Sequence, residues 1–475
     1  MQTKVRNPRT GAFDYAFSAP SPQALSATFA RLRQAQTAWA WLSIETRAEG
    51  LISLRNAIAS RGDAIAAALE LDTGRRAIAR QEVQGVLAAL TGWAAQAPHL
   101  LSSQWTQGRA TAHLTHRPNF VPYPLVGVIS PWNFPLTLAM IDTIPALLAG
   151  CAVVVKPSEV TPRFVAPLME AINASGDIAT VLAFVVGAGE IGAQMVEGVD
   201  AICFTGSVAT GRLVASSAAG RMIPGFLELG GKDPLIVLEG ANLDYAVTAA
   251  LRGSVLSAGQ ACQSIERIYV QRGVFRTFVD RLTEAARQCR LNWPEIGMGE
   301  IGPIIFDKQA AVLQGQLDDA VAKGAQVLSG GSIETHGGGL WMRPTVLVDV
   351  DHTMKVMTEE TFGPIMPIMA FDTQAEAIHL ANDSVYGLSA GVFAQTLAEA
   401  EGVAVHLKAG AVSLNDAALT ALFYEAEKHS FGLSGLGGSR MGAAGFHRFL
   451  RRQALIANSA APVPLSAFAE DRAAT

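Results

Sequence analysis

The chain has 475 residues, enough for two or three domains with a cleft between them, and half of it is hydrophobic. A net charge of −5 with interspersed signs gives no basic stripe for nucleic acid, and 45 glycines among many alanines suit the tight turns of an α/β protein, not a disordered chain. The four cysteines, Cys151, Cys203, Cys262 and Cys289, lie far apart without a C-x-x-C pair or a Cys/His cluster, so neither a disulfide framework nor a metal site is expected.

Met1 to Asn7 is polar and lacks the apolar core of a signal peptide, which together with the cysteine usage predicts a cytoplasmic, reducing location. Residues 25–40, 45–71 and 80–97 carry apolar groups at helical spacing and predict three helices. Residues 110–117 alternate and are closed by Pro118, predicting an exposed strand or hairpin arm. The longest apolar stretch, 136–155, is interrupted by Asp142, Pro145 and Gly150; it predicts a buried helix, a turn and a buried strand, with no membrane span.

From residue 126 short apolar strands alternate with helices: strands at 126–130, 152–155, 181–186 and 201–204, then at 234–237, 267–271, 325–328 and 391–394, with helices at 274–289 and 308–323. This alternation predicts two parallel-sheet α/β units with a seam near residue 230. The tail after Ala461 carries no periodic pattern and is expected to be loosely ordered.

Several segments carry chemistry-bearing groups. Phe204-Thr205-Gly206-Ser207-Val208-Ala209-Thr210-Gly211 follows a predicted strand and opens a helix, where backbone amides can hold a pyrophosphate, although structural turns share this pattern. Lys156-Pro157-Ser158-Glu159 ends another strand at the sheet edge where ligands bind. A lysine there can bond ribose hydroxyls, and a carboxylate can accept from a free 2′-hydroxyl while repelling a 2′-phosphate; a solvated loop is the plainer reading. Gly259-Gln260-Ala261-Cys262 sets a thiol after small residues, whereas Cys151, Cys203 and Cys289 fit inert packing. Glu228-Leu229-Gly230-Gly231-Lys232 and Pro131-Trp132-Asn133-Phe134-Pro135 add a carboxylate beside two glycines and an amide between two prolines, each with its own local explanation as a cap or turn.

Taken in order, and completed by Glu360-Thr361-Phe362-Gly363-Pro364, these segments resemble the aldehyde dehydrogenase superfamily of the NAD(P)-dependent, hydrolytic, non-CoA-acylating type, over nearly the whole chain. The resemblance implies two Rossmann-like parallel-sheet domains plus a small β assembly arm: residues 1–100 and 123–230 for the cofactor, 231–445 for catalysis, and 101–122 with 446–475 as oligomerisation arm and tail. It implies Cys262 as nucleophile, Glu228 as general base and Asn133 as oxyanion donor. It implies cofactor contacts from Trp132, Lys156, Ser158, Glu159, Gly189, Thr205, Gly206, Ser207, Gly211, Glu360 and Phe362. Glu360 would hold the nicotinamide ribose, Phe362 would pack near the nicotinamide, and Trp132 and Ser207 would contact the diphosphate region. NAD is the expected cofactor through Glu159, with NADP possible through Lys156 and Ser158. Glu228 argues for a free-acid product, because acyl transfer to coenzyme A goes with loss of that carboxylate.

The expected substrate is an apolar or aromatic aldehyde, since Leu138, Ile141, Phe423 and Phe431, with Leu419, Leu422 and Tyr424, fall where the family lines its tunnel; Asp142 falls there too, where succinate semialdehyde enzymes offer an arginine. The expected assembly is a homodimer or homotetramer, with no membrane and no nucleic acid as partner. The pattern departs from the family at residues 430–440, where the usual lysine is missing and Arg440 stands nearby. Two alternatives share these residues: a cofactor-independent thiol esterase, and a binding protein that has kept the fold and lost catalysis.

Overall fold

The computed structural model describes residues 2–101 and 103–470. Its amino-terminal helices begin where the sequence supplies caps: Ser21 accepts from the Ala24 N–H at 3.2 Å ahead of the helix Pro22–Trp41, and Ser43 accepts from the Thr46 N–H at 3.2 Å ahead of Ile44–Ser60. The single helix expected over 45–71 is two, Ile44–Ser60 and Gly62–Thr73, because Arg61 leaves helical geometry (φ −111°, ψ 8°) just before a glycine. The third, Arg76–Leu100, packs against both Ile44–Ser60 and the buried helix Pro135–Ala149. That last helix is followed by a left-handed Gly150 (φ 101°) and the strand Ala152–Lys156, the arrangement expected for residues 136–155. Among the described residues no helix is long and apolar enough to cross a membrane.

Two sheets form the centre of the molecule. The first has six strands in the order Gly435–Leu436, Gly225–Glu228, Ala201–Thr205, Leu125–Ile129, Ala152–Lys156 and Leu182–Phe184, parallel except at the Gly435–Leu436 edge. The strand expected at 181–186 is confined to Leu182–Phe184, since Val181 closes a short helix. The second sheet has seven strands in the order Gln326–Ser329, Thr345–Val348, Ile365–Phe371, Ile265–Gln271, Asp233–Val237, Ser389–Phe393 and Ala411–Leu414, antiparallel only between the first two. Continuous burial of Leu125–Ile129, Ala152–Lys156 and Asp233–Val237 explains their unbroken apolar runs, because helices cover both faces.

A third sheet stands apart: Leu450–Asn458 pairs antiparallel with the whole of Leu114–Pro122, which also pairs with Thr106–Gln107. Pro118 does not end this strand as expected. Beyond His116 the strand has a partner on one side only, and a proline without a donor is tolerated beside such an open edge. Past Ala461 a short 3-10 turn, Leu465–Phe468, leaves Leu465 and Phe468 exposed; the last five residues of the expected tail lie outside the described residues.

Candidate active site

Three of the sequence motifs leave the carboxyl ends of adjacent strands in the first sheet. Pro131 to Pro135 follows Leu125–Ile129, Lys156 to Glu159 ends Ala152–Lys156, and Thr205 to Gly211 follows Ala201–Thr205. The connection reverses direction here, with Ala152–Lys156 on one side of Leu125–Ile129 and Ala201–Thr205 on the other, which opens a crevice. Ser207 caps the helix Val208–Gly220 by accepting from the Thr210 N–H at 3.3 Å, and the other N–H groups of the first turn have no partner within the helix. Gly211 lies against the Leu229 methyls and Gly206 against the Phe204 ring, so a side chain at either would have to displace its neighbour. The Gly206 N–H also donates to the Glu228 carbonyl at 3.2 Å, tying this turn to the next strand.

Lys156 is buried, donating to the Pro157 carbonyl at 3.1 Å and to Glu159 at 3.3 Å; burial holds its ammonium below the ordinary lysine range, partly offset by Glu159. Ser158 turns inward and accepts from the Val160 N–H at 3.2 Å, while Glu159 stays partly exposed at the crevice. Gly189 opens the helix Gly189–Gly198 with open space around its Cα, so close packing is not what demands a glycine there. Trp132 meets the edge of the Phe362 ring at 5.3 Å between centroids.

The loop before Cys262 is the most contorted segment of the site. Ser257, Ala258 and Gly259 all adopt the left-handed region (φ 60°, 55° and 70°), a costly conformation for the first two. A Cβ on Gly259 would collide with the Gly363 carbonyl, and one on Gly231 with the Cys262 carbonyl. The glycines of two motifs are therefore the space that lets the thiol loop, the strand end after Glu228 and the 360–364 segment close on one another.

Gln260 locks the loop by donating to the Ser257 and Pro303 carbonyls at 3.0 and 3.1 Å and accepting from the Ile305 N–H at 2.9 Å. Its own carbonyl accepts from Asn133 Nδ2 at 3.0 Å, leaving the second amide hydrogen of that nitrogen for a ligand. Asn133 Oδ1 is buried with no partner. The Asn133 carbonyl is held by Arg75, whose guanidinium also lies over the Phe134 ring at 5.2 Å. Burial lowers Arg75 to about 10, and Glu82 offsets part of that shift; burial raises Glu82 to about 7 while it accepts from the Leu136 and Thr137 N–H groups at 3.1 and 3.0 Å.

The Cys262 thiol is pushed up to about 12, by burial first and then by Glu360 and Asp233, while Lys428 pulls the other way. Cys151 is likewise raised by burial to about 12, and Cys203 further. Cys262, half-buried where those two are fully buried, thus differs from them in exposure and in its company. Glu228 ends its strand half-buried, with Lys428 Nζ at 3.5 Å and Ser430 Oγ donating at 3.4 Å. Ser430 opens the divergent carboxy-terminal segment and Lys428 lies just ahead of it; the Gly435–Leu436 strand of that segment pairs directly with Glu228 and Leu227. Sequence reasoning did not find Lys428; its only signal was a cation two residues ahead of the segment that departs from the family.

Glu360 points at the strand end after Glu228, accepting from the Gly231 N–H at 3.2 Å. Burial and the neighbouring Glu266 raise it to about 8. The segment is clamped from below: Glu266 accepts from the Thr361 and Phe362 N–H groups at 2.7 and 2.8 Å, and buried Lys232 donates to Glu266 at 3.0 Å and to Thr361 Oγ1 at 2.7 Å. Phe362 is held in the left-handed region (φ 53°). The Lys232–Glu266 clamp was also missed: Lys232 closes the Glu228 motif just ahead of Asp233–Val237, but its partner on the adjacent strand Ile265–Gln271 carries no motif of its own.

Of the residues expected in the tunnel, Leu138 and Ile141 are half-buried on Pro135–Ala149, whereas Phe423 and Phe431 are 54% and 47% exposed on the carboxy-terminal loop. Asp142 does not face a tunnel as a free carboxylate. It is buried, bonded to Arg440 at 2.8 Å and to Arg448, and these guanidinium groups outweigh burial and hold it below the ordinary aspartate range. Arg440 also donates to Thr205 Oγ1 at 2.7 Å.

A thiol on a strained loop, a fixed amide donor, a carboxylate and an anion-ready helix start thus converge from both sheets. Residues 1–455 match the sequence model described as the Aldehyde dehydrogenase family. The putative succinate-semialdehyde dehydrogenase [NADP(+)] of Mycolicibacterium smegmatis is 40% identical over 394 residues, 82% of this chain and 76% of that protein. The putative aldehyde dehydrogenase PutA of Anabaena variabilis superposes with a TM-score of 0.96 at 53% identity, covering 98% of this chain and 99% of that one. A betaine aldehyde dehydrogenase of Staphylococcus aureus, in complex with NAD+, superposes with a TM-score of 0.92 at 29% identity, covering 99% and 95%. On the sequence match and the shared architecture, the chain belongs to the aldehyde dehydrogenase family.

Proposed function

We propose that the protein oxidises an apolar or aromatic aldehyde to its carboxylic acid, with Cys262 as nucleophile, Asn133 as oxyanion donor and Glu228 as general base. The observation that carries this reading is the Asn133 side chain, fixed by Gln260 beside the Cys262 loop with one N–H to spare. Cys262 attacks the carbonyl carbon as thiolate, and the Asn133 amide and the Cys262 backbone N–H receive the charge that develops on oxygen in the thiohemiacetal; one such donor is worth about 3 kcal/mol. A bound nicotinamide dinucleotide supplies the hydride acceptor. Glu228 then takes a proton from water, which cleaves the remaining thioester and releases the acid.

The crevice suits a dinucleotide. Its helix start is open, Gly206 and Gly211 keep the backbone close, and Lys156, Ser158 and Glu159 lie at the adjacent strand end. Trp132, Thr205, Ser207, Glu360 and Phe362 would complete its contacts; Gly189, at the start of a neighbouring helix, belongs to the same proposed set. Partly exposed Glu159 favours NAD, while NADP stays possible through Lys156 and Ser158; of the three relatives named, one bears NADP(+) in its name and another was solved in complex with NAD+.

The apolar substrate reading rests on Leu138, Ile141, Phe423 and Phe431 and on the commitment of Arg440 and Arg448 to Asp142. A substrate carboxylate would be desolvated without a free cation, whereas a ring gains about 25 cal/mol per Å² of apolar surface buried. We assign residues 1–100 and 123–230 to the cofactor, 231–445 to catalysis, and 101–122 with 446–475 to assembly as a homodimer or homotetramer. The nine-position ladder between Leu450–Asn458 and Leu114–Pro122 supports the arm.

The test follows NADH and NADPH formation for hexanal, benzaldehyde and succinate semialdehyde, in the native enzyme and in Cys262→Ala. The reading expects Cys262→Ala to be inert and the apolar aldehydes to have the higher kcat/KM. Oxidation surviving in Cys262→Ala removes the mechanism, and a clear preference for the semialdehyde removes the substrate class.

A further inference from the structure

Thiolate chemistry and general-base chemistry make opposite electrostatic demands on one cleft. The base must be a carboxylate, yet a carboxylate beside the thiol opposes its ionisation, as Glu228, Glu360 and Asp233 each do at Cys262. The basic groups around the site are mostly committed elsewhere: Lys232 to Glu266, Arg440 to Asp142 and Thr205, and Arg448 to Asp142. Lys428 is the exception. Its side chain is 5% exposed and its Nζ lies 3.5 Å from Glu228 Oε2, whose own side chain is 14% exposed. Its backbone is pinned, the N–H donating to Ser439 Oγ at 3.1 Å, and Ser430 Oγ approaches the same carboxylate oxygen at 3.4 Å. Burying a flexible ammonium is costly unless it is paired, and Glu228 is the partner that offsets the cost for Lys428.

We propose that Lys428 is a positioning residue of the reaction: its ammonium holds the Glu228 carboxylate in a buried ion pair, so that the base and the Cys262 thiolate, two anions in one cleft, can coexist. This rests on the reading of Cys262 and Glu228 given above and adds to it a residue from the carboxy-terminal loop. The charged and titratable groups that bear on the pair and the thiol are Asp233, Glu360, Tyr424 and Arg440, and the charge of Lys428 is the one that favours the thiolate among those acting on Cys262 most strongly.

The experiment measures the rate of Cys262 alkylation by iodoacetamide at a fixed pH of about 8 in the full-length protein, resolved by peptide mass so that other cysteines do not contribute; far below the thiol's midpoint this rate follows its thiolate fraction. Lys428→Met should slow it about tenfold, and Lys428→Arg should restore it. A rate unchanged in Lys428→Met, or lowered equally in Lys428→Arg, overturns the proposal. Should Lys428→Met fail to fold, Glu228→Gln/Lys428→Met removes both charges together: a slower rate than in Glu228→Gln alone supports the proposal, and an equal one overturns it. The readout is the thiol itself and not turnover, so failure of the nucleophile assignment, seen as activity persisting in Cys262→Ala, stays distinguishable.

Discussion

Glu266→Gln tests whether the buried clamp beneath residues 360–362 is what presents that segment to the site. In the native protein both oxygens of Glu266 are occupied, by the Thr361 N–H at 2.7 Å, the Phe362 N–H at 2.8 Å and Lys232 Nζ at 3.0 Å, and Lys232 and Glu266 are 1% and 2% exposed. A glutamine has one acceptor oxygen, so at least one N–H is left facing an NH2 group and the lysine is left as an uncompensated buried charge. Breaking such a pair from one side costs about 3 to 5 kcal/mol. At the usual unfolding entropy per residue, a chain of 475 residues shifts by roughly 1 °C per kcal/mol, so thermal unfolding should fall by about 3 to 5 °C. Phe362, released from its left-handed conformation, should also weaken dinucleotide binding, read by titrating intrinsic fluorescence with NAD. The control is Lys232→Met/Glu266→Gln, which removes the stranded charge and should recover part of the stability. Melting within about 2 °C of native, with unchanged NAD affinity, would refute the clamp.

Glu228→Gln should keep a pre-steady-state burst of NADH and then turn over on the order of a hundredfold more slowly, because the base acts in deacylation; loss of the burst together with turnover would contradict that division. Glu159→Gln should raise kcat/KM for NADP relative to NAD by on the order of tenfold, about 1.4 kcal/mol, by removing the charge that opposes a 2′-phosphate; an unchanged ratio of specificity constants would count against the assignment. Glu360, raised to about 8 by burial and then by Glu266, should make stability pH-dependent. Its folded value lies above the unfolded one, so its stabilising contribution is complete below about pH 4.5 and is lost as pH rises through about 8. Denaturant midpoints should therefore decline over that window less steeply in Glu360→Gln than in the native protein, and equal slopes would show that the titrating group is another.

The motifs and the two parallel sheets were legible because each is local: a glycine-rich turn, a strand end or an apolar run announces itself within ten residues. The expected sheet grammar lacked Thr345–Val348, Ile365–Phe371 and Ala411–Leu414. Pro367 stands within the second of these, where a proline argues against a central strand; it pairs with Leu347 alone, and the ladder to Ile265–Gln271 begins only at Ile368, so the missing N–H is tolerated. The polar pairs were illegible for a different reason. Lys428 meets Glu228 across 200 positions and Asn133 meets Gln260 across 127, and neither partner follows a period that points to the other. Asp142 was read as a tunnel residue because its helix position is right, but the partners that turn it into an ion pair lie some 300 residues away.

These distant pairs also account for how the strained thiol loop persists. Two consecutive non-glycine residues in the left-handed region, Ser257 and Ala258, cost on the order of 1 to 3 kcal/mol each, and a free loop would relax. Here relaxation would break the three side-chain bonds of buried Gln260 and the Asn133 bond to its carbonyl. Each such buried group left unsatisfied costs about 1 to 3 kcal/mol, so the polar network outweighs the strain. Asn133 is in turn fixed through its own carbonyl by Arg75, so the nucleophile loop and the amide donor are two ends of one network anchored on both sheets. In the oxyanion role proposed above for Asn133, its amide dipole would therefore be oriented before any substrate arrives, with no reorganisation left to make at the moment of reaction.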